Sequence, residues 1–111
     1  KELGCKFGGL DLLDTIKADI LINSTLIGMH PNIDESIATK EQLKNFKIVI
    51  DAVYNPFETE LLKLAKKTGC LTISGLKMLC FQGAESFELW TGMKPDTKLM
   101  FNAAKKKLTG E

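Results

Sequence analysis

The stretch KIVIDAVYNPFETELLKLAKKTGCLTIS, residues 47–74, decides the fold. Its opening residues, KIVIDAVY (47–54), are rich in β-branched side chains, which suit a strand. Pro56 ends that run. ETELLKLAKKTG (58–69) then sets Leu61, Leu62, Leu64 and Ala65 on the inward side of a helix, with Gly69 just past its end, where a left-handed residue stops it. CLTIS (70–74) is a second strand. A strand, a helix and a strand joined by short turns form a βαβ unit. Its chain reversal makes the strands parallel and the crossover right-handed. Continuous apolar strands, rather than alternating ones, predict a sheet covered on both faces. The fold class is therefore α/β, three-layered around a parallel sheet.

The flanks extend this unit. Upstream, DILINST (19–25) reads as a further buried strand that stops at Asn23, Ser24 and Thr25. Before it, GLDLLDTIKA (9–18) is a short helix candidate with Leu10, Leu13 and Ile16 at three-residue spacing. LIGMHPNIDES (26–36) is a loop broken by Gly28 and Pro31, and TKEQLKN (39–45) is a short helix with the capping-box pair Thr39 and Gln42. Downstream, SGLKMLCFQGAESFELW (74–90) is one amphipathic helix. A polar joint at Pro95 leads to a last helix from about Asp96 to Leu108. The opening KELG (1–4) resembles the last turn of a helix with Gly4 as its stop, so the chain reads as the tail of a longer protein.

The 111 residues suffice for one domain, and a composition of 44% hydrophobic and 26% charged residues is ordinary for a globular chain. A net charge of +1 gives no electrostatic case for nucleic acid or an anionic membrane surface. Lys105, Lys106 and Lys107 suit a helix C-terminus. Cys5, Cys70 and Cys80 form no CxxC pair, which points to reduced thiols and a cytoplasmic location. No apolar run approaches the ~18 residues of a transmembrane helix, and no signal peptide is visible.

In open parallel sheets, ligands bind outside the carboxyl ends of the strands. Here those ends are Asn23-Ser24-Thr25, Asp51 to Tyr54, and Ser74-Gly75. The first can serve as a turn or as a ligand contact, and Ser74 as a helix cap or as part of a site. On the helix after Ser74, Leu76, Leu79, Cys80, Gly83, Phe87 and Trp90 form one stripe, expected to face the core. Met78 and Gln82, four apart, stack together on its flank. Gln82 either meets solvent or lines the rim with Met78, where a thioether offers soft apolar surface and an amide both donates and accepts. Gly75 permits close approach of a ligand to the backbone. His30, the only histidine, reads as a surface loop residue, and Asp34 and Glu35 as solvated charge. No ligand spacing suggests a metal. Neither GxGxxG nor GxxxxGK[ST] occurs.

Three segments, ADILINSTLIGMHPNIDES, VIDAVYNPFETELL and TISGLKMLCFQGAESFELWTG, taken in that order, resemble the C-terminal part of the shikimate dehydrogenase family over nearly the whole chain. The GMHPNIDES segment also resembles the dehydrogenase half of the plant bifunctional dehydroquinate dehydratase–shikimate dehydrogenases. The resemblance implies NADP-dependent, reversible reduction of 3-dehydroshikimate to shikimate in aromatic amino-acid biosynthesis. It implies the later part of a Rossmann-like cofactor domain (about 1–74) with closing helices (about 75–108), and an N-terminal substrate domain outside this chain. It places Asn23, Ser24, Thr25, Val53, Gly75 and Met78 at the cofactor, and Tyr54 and Gln82 at the substrate. The family's catalytic Lys–Asp pair and its glycine-rich loop have no counterpart here, so the chain alone is expected to be inactive. Leu26 departs from the Ser or Pro more usual after Thr25. Quinate/shikimate dehydrogenases, and non-enzymatic ligand-sensing relatives, are the alternatives.

Overall fold

A computed structural model describes residues 2–110. Three short strands, β1 (Ile20–Asn23), β2 (Ile48–Asp51) and β3 (Leu71–Ser74), form one sheet in the order β1-β2-β3. Both pairings are parallel. The helices are α1 (Lys40–Leu43), α2 (Glu60–Lys67), α3 (Gly75–Thr91) and α4 (Thr97–Thr109). The βαβ unit read from residues 47–74 is β2-α2-β3, and the α/β class stands.

Local sequence chemistry sets the helix ends. Thr39 and Gln42 close a reciprocal capping box on α1. On the same helix, Lys44 donates to Glu41 at 2.8 Å and holds that exposed carboxyl below its usual range. Thr59 caps α2, Ser74 caps α3 and Asp96 caps α4, each accepting a backbone N–H of the first turn. Gly69 and Gly92 follow α2 and α3 with φ of +83° and +70°, the left-handed conformation that ends a helix without strain in glycine.

The core lies on one side of the sheet. Val49 packs with Leu61, Leu62 and Ala65 of α2, with Leu43, and with Leu13, Ala38, Phe46 and Cys70. Leu13 belongs to a 3-10 turn at Leu10–Asp14, shorter than the helix expected over 9–18. Only one of its three spaced apolar residues is buried, because Leu10 and Ile16 find no partner and stay exposed.

Among the described residues the second face of the sheet is only partly covered. Side chains alternate along a strand, so Ile20, Ile22, Ile48, Ile50, Leu71 and Ile73 share the face opposite α2. Ile20, Ile22 and Leu71 are 48%, 58% and 62% exposed. Ile48, Ile50 and Ile73 are half-buried, and among the described residues the cover does not extend to Ile20, Ile22 and Leu71.

The stripe on α3 is also shifted. Leu76, Cys80 and Ala84 are buried, a straight four-residue row, whereas Phe87 is partly open and Trp90 is 83% exposed. The first turns of α3 lie against the sheet and α4, while Leu89 and Trp90 in its last turn are exposed. The radius of gyration is 16.0 Å, larger than the ~13 Å expected of a closed domain of this length. Open apolar faces and an extended outline describe the same property. Lys1, the first residue of the opening turn expected over 1–4, lies outside the described residues, and Gly4 has the left-handed φ of +65°.

Candidate cofactor and substrate site

The three strands end together. Asn23, Asp51 and Ser74 stand in one register row across β1, β2 and β3. All three expected rim segments therefore lie at the same edge of the sheet. Between two of them opens a cavity of about 440 Å³ lined by Ser24, Thr25, Leu26, Met29, His30, Ala52, Val53, Tyr54 and Asn55. That volume falls in the range of small-molecule sites, ~300–1,000 Å³. Other hollows of similar size, lined by residues 14–19 with Asn45, by residues 6–16, and by Ala103, Lys106, Lys107 and Gly110, hold none of the strand-end residues. Position at the carboxyl ends, rather than volume, singles out the one with Tyr54.

Asn23 is 1% exposed. Its amide nitrogen donates to the Ile27 carbonyl at 3.2 Å and to Asp51 Oδ1 at 3.0 Å. Its amide oxygen accepts from the Thr25 N–H at 3.0 Å and from the Thr25 hydroxyl at 2.7 Å. An asparagine amide has two donor hydrogens and two acceptor sites, and all four are in use. In this conformation Asn23 has no polar atom left for a ligand. Thr25 is similarly engaged, since its hydroxyl also accepts the Ile27 N–H at 3.1 Å. The Ser24 hydroxyl, exposed at the lip of the cavity, has no hydrogen-bond partner among the described residues.

Asp51 and Thr59 are functional-looking residues to which the sequence reading gave no role. Asp51 is completely buried and accepts the Thr59 hydroxyl at 2.6 Å and the Val53 N–H at 3.0 Å. The signal was present in the Asp-x-x-Tyr-x-Pro-x-x-Thr spacing, but only the fold shows that its Asp and Thr meet. His30, expected as a surface residue, is exposed and also lines the cavity; its N–H donates to the Asn55 carbonyl at 2.9 Å.

Gly75 is buried, and the room its missing side chain leaves is filled by protein. A Cβ there would lie 2.2 Å from the Ala52 carbonyl oxygen and 2.7 Å from that of Asp51. The close approach is thus made by the end of β2, which seats the first turn of α3 beside Val53 and Tyr54. Ser74 completes the joint, with its hydroxyl donating to the Phe57 carbonyl at 3.2 Å while accepting the Leu76 N–H at 3.2 Å. Phe57 in turn meets Phe101 of α4 edge to face at 6.3 Å, under the Lys105 ammonium.

Met78 and Gln82 extend from this joint along α3. Met78 is 58% exposed, and Gln82 is exposed with no hydrogen-bond partner for its amide among the described residues. Tyr54 is 42% exposed. Tyr54 lines the cavity; Gly75, Met78 and Gln82 do not: Gly75 starts α3 at the end of β3, and Met78 and Gln82 follow along that helix. Among the described residues no group of His, Cys, Asp and Glu is arranged to hold a metal, and no helix is long and apolar enough to cross a membrane.

Residues 75–105 match the model of the shikimate 5'-dehydrogenase C-terminal domain. A shikimate dehydrogenase (NADP(+)) of Methanocaldococcus jannaschii is 51% identical over 105 residues, which is 94% of this chain and 37% of that protein. The chain belongs to the shikimate dehydrogenase family, where it corresponds to the C-terminal part. A crystal structure of a shikimate dehydrogenase in complex with NADP+ superposes with a TM-score of 0.83 at 51% identity, covering 93% of this chain and 36% of the other. The Thermus thermophilus enzyme in complex with NADP(H) and shikimate superposes at 0.81 with 34% identity, covering 95% and 39%. The chain thus spans little more than a third of the length of the shikimate dehydrogenases it matches, and it carries their Rossmann-like α/β architecture.

Proposed function

We propose that this chain is the C-terminal part of an NADP-dependent shikimate dehydrogenase, in which residues 1–74 complete the cofactor domain and α3 and α4 close it against an N-terminal substrate domain. One observation carries the reading: three strands of the family's sheet end at one rim, where Ser24, Thr25, Val53 and Tyr54 line one cavity and Gly75 follows the end of β3. The residues present fit the reacting end of the cofactor. The cavity is bounded by the apolar side chains of Leu26, Met29, Ala52 and Val53 and by the polar ones of Ser24, Thr25, His30, Tyr54 and Asn55, a mixture that suits a flat polar ring. The pyrophosphate end would need a glycine-rich loop, which this sequence does not contain.

Bound NADPH supplies the hydride; the residues here orient and enclose. Ser24, Thr25 and Val53 would hold the nicotinamide ring, and the exposed Met78 thioether would offer it a polarizable surface. Gly75 and Asn23 shape that wall through their contacts with Ala52, Asp51 and Ile27. Tyr54 and Gln82 offer a phenol and an amide with no internal partner, suited to the hydroxyls and carboxylate of shikimate. Fixing those groups fixes the carbonyl carbon against the cofactor, which is where much of the barrier to a two-reactant step can be removed. Proton transfer belongs to the Lys–Asp pair expected upstream. The reading places the parent protein in the cytoplasm and in aromatic amino-acid biosynthesis. Free thiols at Cys5, Cys70 and Cys80 suit a reducing compartment.

The open face of Ile20, Ile22 and Leu71 and the exposed last turn of α3 support the remaining parts of the proposal, since both need cover that an upstream polypeptide would give. The test is to purify the full-length parent and follow NADPH formation with shikimate, and separately with quinate. Shikimate-dependent reduction of NADP is expected. Its absence, or a preference for quinate, would overturn the assignment.

A further inference from the structure

Asn23, Asp51 and Ser74 do more than share a row. Each side chain accepts the backbone N–H two residues further on: Thr25 to Asn23, Val53 to Asp51 and Leu76 to Ser74, at 3.0, 3.0 and 3.2 Å. Each of these bonds turns its chain out of the strand at the rim. Asp51 is the central member and is joined to the end of β1 and to the start of α2. Oδ1 takes the Asn23 amide and the Val53 N–H, while Oδ2 takes the hydroxyl of Thr59, the residue that caps α2. A buried carboxylate is costly to desolvate, and here its partners are an amide, a backbone N–H and a hydroxyl rather than a cation. What it organises is the cavity. The two walls, residues 24–30 and 52–55, are tied at the base by Asn23–Asp51 and again by the His30 N–H on the Asn55 carbonyl at 2.9 Å.

We propose that Asp51 is a positioning residue for ligand binding, acting through Asn23 and Val53 to hold both cavity walls in one arrangement. It does not itself line the cavity. It determines where Thr25 and Tyr54 stand. The inference deepens the shikimate dehydrogenase reading and rests on it. Misplacing a binding group by about 1 Å is enough to reduce turnover about a hundredfold.

The experiment uses the full-length parent with Asp51→Ala, Asp51→Asn and, as a control of matched instability remote from the rim, Asp96→Ala. Asp51→Ala removes all three bonds. Asp51→Asn keeps an oxygen for Asn23 and Val53 and turns its NH₂ toward the Thr59 hydroxyl, which can accept. The expected result is that Asp51→Ala lowers kcat/KM for shikimate by about a hundredfold, that Asp51→Asn restores most of this, and that Asp96→Ala lowers Tm with kcat/KM unchanged. Amide exchange read without substrate gives a second measure: Thr25 and Val53 exchange faster together in Asp51→Ala. If Asp51→Ala does not fold, Asn23→Ser decides, because its hydroxyl can still accept from Thr25 but is too short to reach Asp51; faster Val53 exchange is then expected. Equal kinetic loss in Asp51→Ala and Asp96→Ala at equal Tm, or Val53 exchange unaltered by loss of the Asn23–Asp51 bond, would overturn the positioning role. A wild-type parent that does not reduce NADP with shikimate counts against the functional reading alone, and the exchange arm still judges the joint.

Discussion

The Asn23 amide donates to the buried Asp51 carboxylate at 3.0 Å, joining the ends of two parallel strands whose residues are 28 apart in sequence. Neither side chain reaches solvent. Every hydrogen-bonding position of the amide is used, and the carboxylate accepts three bonds. A network satisfied in this way stiffens the rim, and removing one member leaves buried groups without partners. Asn23→Leu is close in volume but takes away a donor for Asp51 and Ile27 and an acceptor for Thr25. It is expected to destabilise the parent protein by about 2–4 kcal/mol. Urea unfolding measures it, and a change below about 0.5 kcal/mol would show that the network contributes no net stability.

Gly75 and Gly83 lie on the same helix and respond in opposite directions. At Gly75 an added methyl meets backbone carbonyls of Ala52 and Asp51, which cannot step aside. Gly75→Ala is expected to cost about 1–3 kcal/mol and to push α3 off β2, weakening NADP binding. At Gly83 the added methyl lies 3.5 Å from the terminal methyl of Met100, an ordinary contact. There Gly83→Ala removes the helix-interior penalty of glycine and is expected to stabilise by about 0.4–1 kcal/mol. Thermal melts of the two variants check the sign of each; equal signs would contradict the packing described for α3.

Tyr54 and Gln82 are exposed and carry polar groups that nothing within the described residues uses. Substituting them therefore has little to do to stability, within about 0.5 kcal/mol. In the parent, Tyr54→Phe and Gln82→Ala are each expected to raise KM for shikimate, through a lost orienting hydrogen bond worth about 1–3 kcal/mol, while NADP affinity stays near wild type. Steady-state kinetics at saturating NADP, beside a melt of each variant, separate the two effects. An unchanged KM removes that residue from the substrate site.

Much of this architecture could be read locally, and the exceptions share one cause. The β2-α2-β3 unit, the caps at Thr39 and Ser74 and the glycine stop at Gly69 depend on residues within one or two turns of each other, so the sequence displays them. The row of Asn23, Asp51 and Ser74 depends on register between distant strands. The Asp-x-x-Tyr-x-Pro-x-x-Thr spacing contained its two central members without revealing their contact. On α3 the periodic stripe was apolar as read, yet Trp90 and half of Phe87 remain open. Periodicity identifies surface that prefers burial but not the partner that buries it. The same holds for Gln82, whose flank position beside Met78 was legible, while the identity of its partner depends on polypeptide outside these residues.

The open sheet face gives the sharpest test of that last point. Ile22 lies on the apolar face at the edge strand β1 and is 58% exposed. If upstream polypeptide covers it in the parent, a polar residue there must be buried. Ile22→Gln is then expected to destabilise the full-length protein by about 2–4 kcal/mol, combining lost apolar burial with an unpaired amide. In the isolated 111-residue chain the same substitution meets water, so its stability should move by less than about 0.5 kcal/mol, and its self-association should fall as the apolar patch shrinks. Paired urea titrations of parent and isolated chain, each with and without Ile22→Gln, measure the difference. An equal effect in both would mean that the face is open in the parent as well, and that the sheet ends, uncovered, where it does here.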